Sequence, residues 1–344
     1  MYDRRMRRAL ILLMLALPAA AWAQTSVTVT LSPDGNALAT SLGTTPQDLA
    51  SKIQAQVDTA YDAANINKFL RSFADATTFA QRGLGVDYMS LPGSFILGVG
   101  GQVALATDGD LSNAQSATAG FAANFSIMLG LNLKQWGHPR WTLYVNGFYE
   151  NGATDRLNGA ITTAGAHVQY RLVDPQRDQG VEAAILRWTG VDVTSGVEFT
   201  RWSLGANDTI ENSYTVQAGT GSTDLTVDST GTFGLTSTAL SIPIELTTGL
   251  RIVELISVYG GIGFDYTGGK ASVDANLAGT MKTSDGTNVG TVSITGTGDN
   301  TASPGSFYGL AGVQLNLWAL KIFSQVNASP EPAASLAFGV RLVL

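Results

Sequence analysis

The chain has 344 residues, a net charge of −7 and no cysteine, which removes disulfides, thiolate metal sites and a lipidated amino-terminal cysteine. Charged residues make up only 14% and glycine contributes 39 positions, against about 25% charge and about 7% glycine in an ordinary soluble domain, so much of the surface faces something other than water. The acidic balance argues against nucleic acid as a partner.

The opening MYDRRMRRALILLMLALPAAAWAQ sets Arg4, Arg5, Arg7 and Arg8 before the apolar run 9–17 and closes on AWA. This is the layout of a secretory signal peptide, residues 1–23, cut after Ala23. Asp3 against the four arginines leaves the leader at +3, so the remainder carries about −10. No later stretch reaches the roughly 18 to 20 apolar residues of a membrane-crossing helix. Next, TSVTVTLSPDGNALATSL reads as a short strand, a Pro-Asp-Gly turn and a second weak strand.

Residues 45–82 then show helical spacing. Thr45 suits an N-cap, Pro46 the first helical position and Asp48 a near capping box. The apolar stripe is Leu49, Ile53, Val57, Ile66, Phe69 and Phe73. Residues 24–90 are expected to form a helical periplasmic cap across or just inside a barrel mouth, because a helix about 10 Å wide fits poorly in a narrow lumen.

From Ser94 the period falls to two. In GFAANFSIMLGLNL, Phe121, Phe125, Ile127, Leu129, Leu131 and Leu133 share one parity and face small or polar residues on the other. The same rhythm recurs in SFILGVGGQVALA, WTLYVNGFYE, NGAITTAGAHVQYRL, VDVTSGVEF, LSIPIEL, ISVYGGIGFDY, FYGLAGVQLNL, residues 322–326 and SLAFGVRLVL. Pro243, inside LSIPIEL, hints at an irregularity there. Ten such segments predict an all-β transmembrane antiparallel β-barrel of about 10 strands, with 8 or 12 as alternatives, over residues 91–344. Short links (KQWGHPR, DPQRDQG, GLRIV, WAL) alternate with long polar ones, including 207–230 and 270–304. That asymmetry matches short periplasmic turns and long outer loops. Trp136, Trp141, Trp188, Trp202 and Trp318 fall near strand ends, where an aromatic girdle belongs.

With its leader, alternating strands, unequal loops and the ending Leu336, Phe338, Val340, Leu342, Leu344, the chain resembles Gram-negative outer-membrane β-barrel proteins. In that class the last residue is usually aromatic, and here it is leucine. TTFAQRGLGVDY is similar to the amino-terminal hatch of the fatty-acid transporter family, although that family has more strands. The resemblance implies an exported outer-membrane protein whose partners are outer-membrane lipid and lipopolysaccharide, the barrel assembly machinery and small solutes.

Candidate lumen-facing residues are Glu150, His167, Gln169, Arg171, Asp192, Glu198, Glu245, Asp265, Gln314 and Arg341, either as pore-lining charges or as an ion-paired network filling a narrow lumen. Ten strands lie near the filled end of the range, since eight hold little more than side chains and sixteen leave an aqueous channel. His138 and His167 are the only histidines, and no local motif brings a serine and an acid to either, so no enzyme is expected. No cofactor or metal is expected: Asp108 with Asp110, and Asp224 with Asp228, read as solvated loop acids. The functional expectation is a passive channel or transporter for small polar or amphipathic solutes. The alternative is a structural or surface-interaction, adhesin-like barrel without transport.

Overall fold

Alternating residues can bury one face and leave the other to lipid only if the strands find partners on both edges, and here they do so by closing a ring. The computed structural model describes residues 24–62, 66–89, 95–108, 118–175, 185–331 and 333–344; the expected leader, residues 1–23, and Asp110 lie outside them. The strands are β1 (Gln24–Leu31), β2 (Phe95–Asp108), β3 (Thr118–Asn132), β4 (Trp141–Ala153), β5 (Leu157–Val173), β6 (Leu186–Ala218), β7 (Gly221–Ile252), β8 (Ile256–Thr283), β9 (Asn288–Thr301), β10 (Gly305–Leu317), β11 (Leu320–Ser329) and β12 (Ala333–Val343). Ten of them, β2 to β8 and β10 to β12, form an antiparallel barrel. It is closed by β12 on β2, with Leu336 opposite Val103, and by β10 on β8, with Val313 opposite Val258. Closure gives every ring strand a neighbour on both sides, which limits unsatisfied backbone groups in lipid, where each costs several kcal/mol. The β3–β4 ladder is the shortest, running from Ile127 opposite Gly147 to Asn132 opposite Thr142.

The outward parity carries the oily belt: Leu97, Phe125, Leu129, Val145, Ile244, Leu246, Ile262, Phe307 and Phe338 are all exposed. Trp136, Trp141 and Trp318 are exposed at the end bearing the short links. Trp202 departs from the girdle reading. It points inward at the opposite end, packs edge-on against Phe73 and donates to the Ala123 carbonyl at 2.8 Å. The link between β7 and β8 is a three-residue turn, residues 253–255, in which Val253 and Glu254 both have positive φ, 49° and 59°, the handedness that suits the twist of a hairpin. Glu254 accepts from Arg187 and Arg251 beside it, which anchors this strained turn. At Pro243 the pairing of β6 with β7 is interrupted while that of β7 with β8 continues, so the missing N–H sits where no ladder bond is needed.

Strands β6, β7 and β8 run 33, 32 and 28 residues, far past the ring. Their outer halves continue with β9 and β1 as a five-stranded sheet, with Leu225 opposite Thr283, Leu277 opposite Ile294 and Val29 opposite Val292. The long polar links of the sequence reading are thus largely strands. Helices α1 (Pro33–Ser41) and α2 (Pro46–Asp62) pack on this sheet. The weak second strand expected after SPDG is helix α1. Ser32 caps it by accepting from the Gly35 N–H at 3.1 Å, Pro33 takes its first position, and Asp34 sits in its positive first turn. Thr45 does the same for α2, accepting from Asp48 N at 3.1 Å.

The amino-terminal segment lies at the long-loop end, not across the short-link mouth where the sequence reading puts it. Its stripe is divided. Leu49 and Ile53 are buried against the outer sheet, whereas Phe69 and Phe73 belong to helix α3 (Ile66–Phe79) at the barrel entrance. Val57 and Ile66 lie on α2 and α3, with side chains outside the described residues. Beyond α3 the chain runs down the lumen to Met89.

Candidate functional site

A helix enters this lumen because both surfaces are pared down where they meet. Ala76 and Ala80 share a buried cluster with Ala104, Ala106 and Ala122 of the wall. At Gly120 a β-carbon would stand 2.2 Å from the backbone of Ser72 and Phe73, so only glycine lets α3 approach β3. The objection from helix width therefore fails: the approaching backbones are spared the side chains that make a helix 10 Å wide.

Below α3, residues 80–89 are buried throughout and meet the polar face of the barrel in sequence order. Gln81 donates to the Ala239 carbonyl and accepts from Ser241 Oγ at 2.7 Å. Arg82 Nε donates to Asp265 Oδ2 at 2.8 Å, and its guanidinium carbon lies 3.8 Å from the Phe79 ring centre and 4.2 Å from that of Tyr308. Gly83, at φ 82°, turns the chain against Gln325. Arg341 donates to the Val86 carbonyl at 2.6 Å and to Asp87 Oδ1 at 3.3 Å. The Asp87 carbonyl accepts from Tyr144 and Gln169. Tyr88 and Tyr308 each donate to one oxygen of Glu245, at 2.6 and 2.7 Å. At the short-link end Arg251 donates to the Met89 carbonyl at 3.0 Å.

The sequence candidates fall into three groups. Asp265, Glu245, Gln169 and Arg341 are bound to the chain that fills the lumen, and Gln314 accepts from Arg341 at 3.4 Å. His167 with Glu198, 2.6 Å apart, and Arg171 with Asp192, 3.1 Å apart, pair with each other on neighbouring strands. Glu150 shares the inward parity of β4 but is exposed near its outer end. The counter-charges Arg82 and Asp87, with Tyr88, Tyr144 and Tyr308, are not among the interior groups expected from the sequence. The first three sit in TTFAQRGLGVDY, singled out only for a resemblance; an Arg and an Asp five residues apart in an otherwise glycine-rich apolar stretch are the signal that could have found them.

Such a buried network is costly to form and more costly to break, since removing one partner strands the other charge without water. It therefore holds residues 80–89 in one register. Between α3 and the barrel wall at the long-loop end a cleft of about 330 Å³ remains, reaching down to Arg82.

A closed ten-stranded antiparallel ring, with an oily belt outside and an ion-paired polar interior, defines a transmembrane barrel of the outer-membrane class. Its long-loop end carries an additional sheet and two helices. The chain belongs to the Lsa36-like family, which it matches over residues 20–344. No curated protein matches the sequence. Among solved structures, the fold is similar to the translocator domain of the autotransporter NalP from Neisseria meningitidis, at 11% identity and a TM-score of 0.33 over 83% of this chain and 98% of that one. It is also similar to the outer membrane protease OmpT from Escherichia coli, at 9% identity and 0.35 over 74% and 99%. A further similar structure is Ail, the attachment invasion locus protein of Yersinia pestis, at 11% identity and 0.24 over 73% and 100%.

Proposed function

We propose that this protein is a closed barrel that anchors a sheet-and-helix platform on the outer face of the membrane for contact with other molecules, and that it does not act as an open passive channel. The observation that carries this reading is the lumen, occupied by buried residues 70, 72–74 and 76–89 and tied to the wall by Arg82 with Asp265, Arg341 with Asp87, and Tyr88 with Glu245. A passive channel for small solutes would require that whole segment to leave, stranding Asp265, Arg341 and Glu245 without their partners. A platform needs no such movement. The outer halves of β6, β7 and β8 project past the oily belt and present Thr, Ser and Asp side chains to water on one face.

Two measurements test the reading. The full chain in a planar bilayer should give no steady stepwise conductance; a stable ohmic channel from the intact protein would refute the closed-barrel reading. Because the chain has no native cysteine, single cysteines report sidedness cleanly. Ser222→Cys, at the tip of the β6–β7 hairpin, should react with a membrane-impermeant maleimide on intact cells, whereas Lys134→Cys, in a short link, should react only after the membrane is opened. The reverse pattern would put the platform on the inner side and remove the proposed role.

A further inference from the structure

Residues 80–89 cross the membrane inside the ring. Gln81 bonds to Ala239 and Ser241, on either side of Leu240 at the long-loop edge of the oily belt, and Met89 bonds to Arg251, next to the last residue of the same strand. Ten extended residues reach about 33 to 36 Å, enough for a hydrocarbon layer about 30 Å thick. The two ends of the ring's own chain meet at the short-link end, where Phe95 N donates to the Leu344 carbonyl at 3.1 Å. Strand β1 and helices α1 and α2 are folded on the outer sheet at the opposite end. They therefore stand on the other side of the membrane from the first residue of the ring.

At its lower end the lumen has room for one chain. Over residues 86–88, Arg341 of β12 reaches the Val86 carbonyl, and Tyr144 of β4 and Gln169 of β5 reach the Asp87 carbonyl. Tyr88 bonds to Glu245 of β7 and has its ring centre 5.8 Å from that of Tyr259 on β8. This one short stretch touches strands all around the circumference, so a second strand abreast has no space. A hairpin of the amino-terminal segment could not pass beside it. At the far end the segment is held by contacts that exist only there. Strand β1 pairs with β9 from Gln24 opposite Thr297 to Leu31 opposite Gly290, and Leu49 and Ile53 are buried against the outer sheet.

From this topology we infer a further activity: the ring carries its own amino-terminal segment, residues 24–79, across the membrane, unfolded and amino-terminus first. Residues 80–89 follow it, fill the lumen and end the transport. The substrate is unfolded polypeptide of the same chain, and with no cysteine in it no disulfide can lock the segment before it crosses. Pairing of β1 with β9 and burial of Leu49 and Ile53 on the far side oppose return, so folding supplies the direction. The inference rests on the outward placement of the platform, since only then does the segment end on the side away from the cell interior.

The test uses the full chain in cells, with an epitope inserted between Thr44 and Thr45 in the link between α1 and α2 and read by antibody on intact cells. Ser222→Cys, labelled with the impermeant maleimide, reports orientation separately. Both should be accessible. A hidden epitope beside a reactive Ser222→Cys would overturn the inference and leave the orientation standing. A hidden epitope with Lys134→Cys reactive and Ser222→Cys protected would remove the orientation, and the inference with it. A second epitope, at the tip of a long Gly-Ser extension placed between Ala23 and Gln24, should also reach the surface; passage as a hairpin would leave this tip inside and overturn the order of crossing. A disulfide-locked domain at the same place should lower the Thr44 epitope signal at least about tenfold, because a narrow ring excludes it, and growth with dithiothreitol should restore the signal. An undiminished signal would show that the segment does not pass within the ring. Heat-modifiable migration checks the ring in each variant, and the Gly-Ser extension decides the matter if the locked chain does not assemble.

Discussion

Strand β7 crosses two environments without interruption, and its pattern inverts between them. From Leu240 to Ile252 the even positions Leu240, Ile242, Ile244, Leu246 and Leu250 are oily and exposed, while the odd positions Ser241, Glu245, Thr247 and Arg251 are polar and buried. From Leu225 to Ala239 the odd positions Leu225, Val227 and Leu235 are buried and apolar, while even positions such as Thr226, Asp228 and Thr230 are polar and less covered. Strand β8 repeats this: Val258, Ile262 and Phe264 turn outward, then Lys270, Ser272 and Asp274 take the same parity while Ala271, Val273 and Met281 turn in. The backbone face never changes; the solvent outside it does. Where lipid is outside, apolar side chains go out and the interior is polar; where water is outside, they go in, beneath α1, α2 or α3. The inversion near Leu240 and Tyr266 therefore marks the edge of the lipid belt at the long-loop end. The stretch from Leu240 to Ile252 spans roughly 30 Å once strand tilt is allowed for, a bilayer's hydrocarbon thickness.

The largest effect should come from violating this rule on one strand. Leu246→Arg puts a charge into the belt, should cost roughly 2 to 4 kcal/mol and should impair assembly. Thr230→Arg, on the same parity of the same strand beyond the inversion, should change stability by no more than about 0.5 kcal/mol. Urea titration of both variants in lipid vesicles checks this. Equal damage from the two would mean the membrane boundary is misplaced.

Next in size is Leu49→Ala, which opens a hole between α2 and the outer sheet. Core truncations of this kind cost about 2 to 5 kcal/mol, and the low end is expected because a two-layer site can collapse. Limited proteolysis should now cut within residues 33–62 while the barrel keeps its heat-modifiable gel shift. Loss of that shift would show that the outer half does not fold independently of the ring.

Gly120→Val tests the junction between the two regions. Its side chain collides with the backbone of Ser72 and Phe73, so α3 must move at a cost of about 1 to 3 kcal/mol. Faster labelling of a cysteine placed at Ala76, with the ten-stranded ring intact, is the expected reading. Unaltered labelling would mean the helix is not held by that close approach.

The smallest effect concerns Asp75, which accepts from Ser303 N at 2.7 Å and fastens α3 to the linker between β9 and β10. Burial is the main cause that raises its carboxyl above the ordinary aspartate value, partly offset by the Ser303 hydrogen bonds and Arg71. A raised folded value means the folded state binds the proton more readily. The contribution of Asp75 to stability is therefore greatest below the ordinary aspartate range and falls as pH rises through the raised value. In Asp75→Asn that slope should vanish, seen as a flatter dependence of the unfolding midpoint between the ordinary and raised values. An unchanged slope would assign it to another group.

Much of the molecule was legible beforehand because lipid imposes one simple local rule. The ten segments read by parity are the ten strands of the ring, and the capped start at Thr45 and Pro46 is the start of α2. Of the outer sheet only β1 is legible, in TSVTVTL; TDLTVDSTGTFGLTST alternates, but ten of its sixteen residues are Thr, Ser or Gly, so it resembles a loop by composition. The wrong end was assigned to the helices because the decision between the two mouths is made by the direction in which residues 80–89 run, and no local pattern encodes that direction.

What the amino-acid sequence determined alone, then, is which residues face outward in lipid, since each strand needs only its own alternation to satisfy that demand. What the tertiary structure decided is the content of the lumen. Arg82 meets Asp265 across 183 residues, and Arg341 meets Asp87 across 254. Either charge could in principle have paired with Glu198 or Asp192, which share the same interior parity. Partner choice follows from barrel closure, strand register and the glycine and alanine contacts that admit α3, and these exist only once distant segments are brought together.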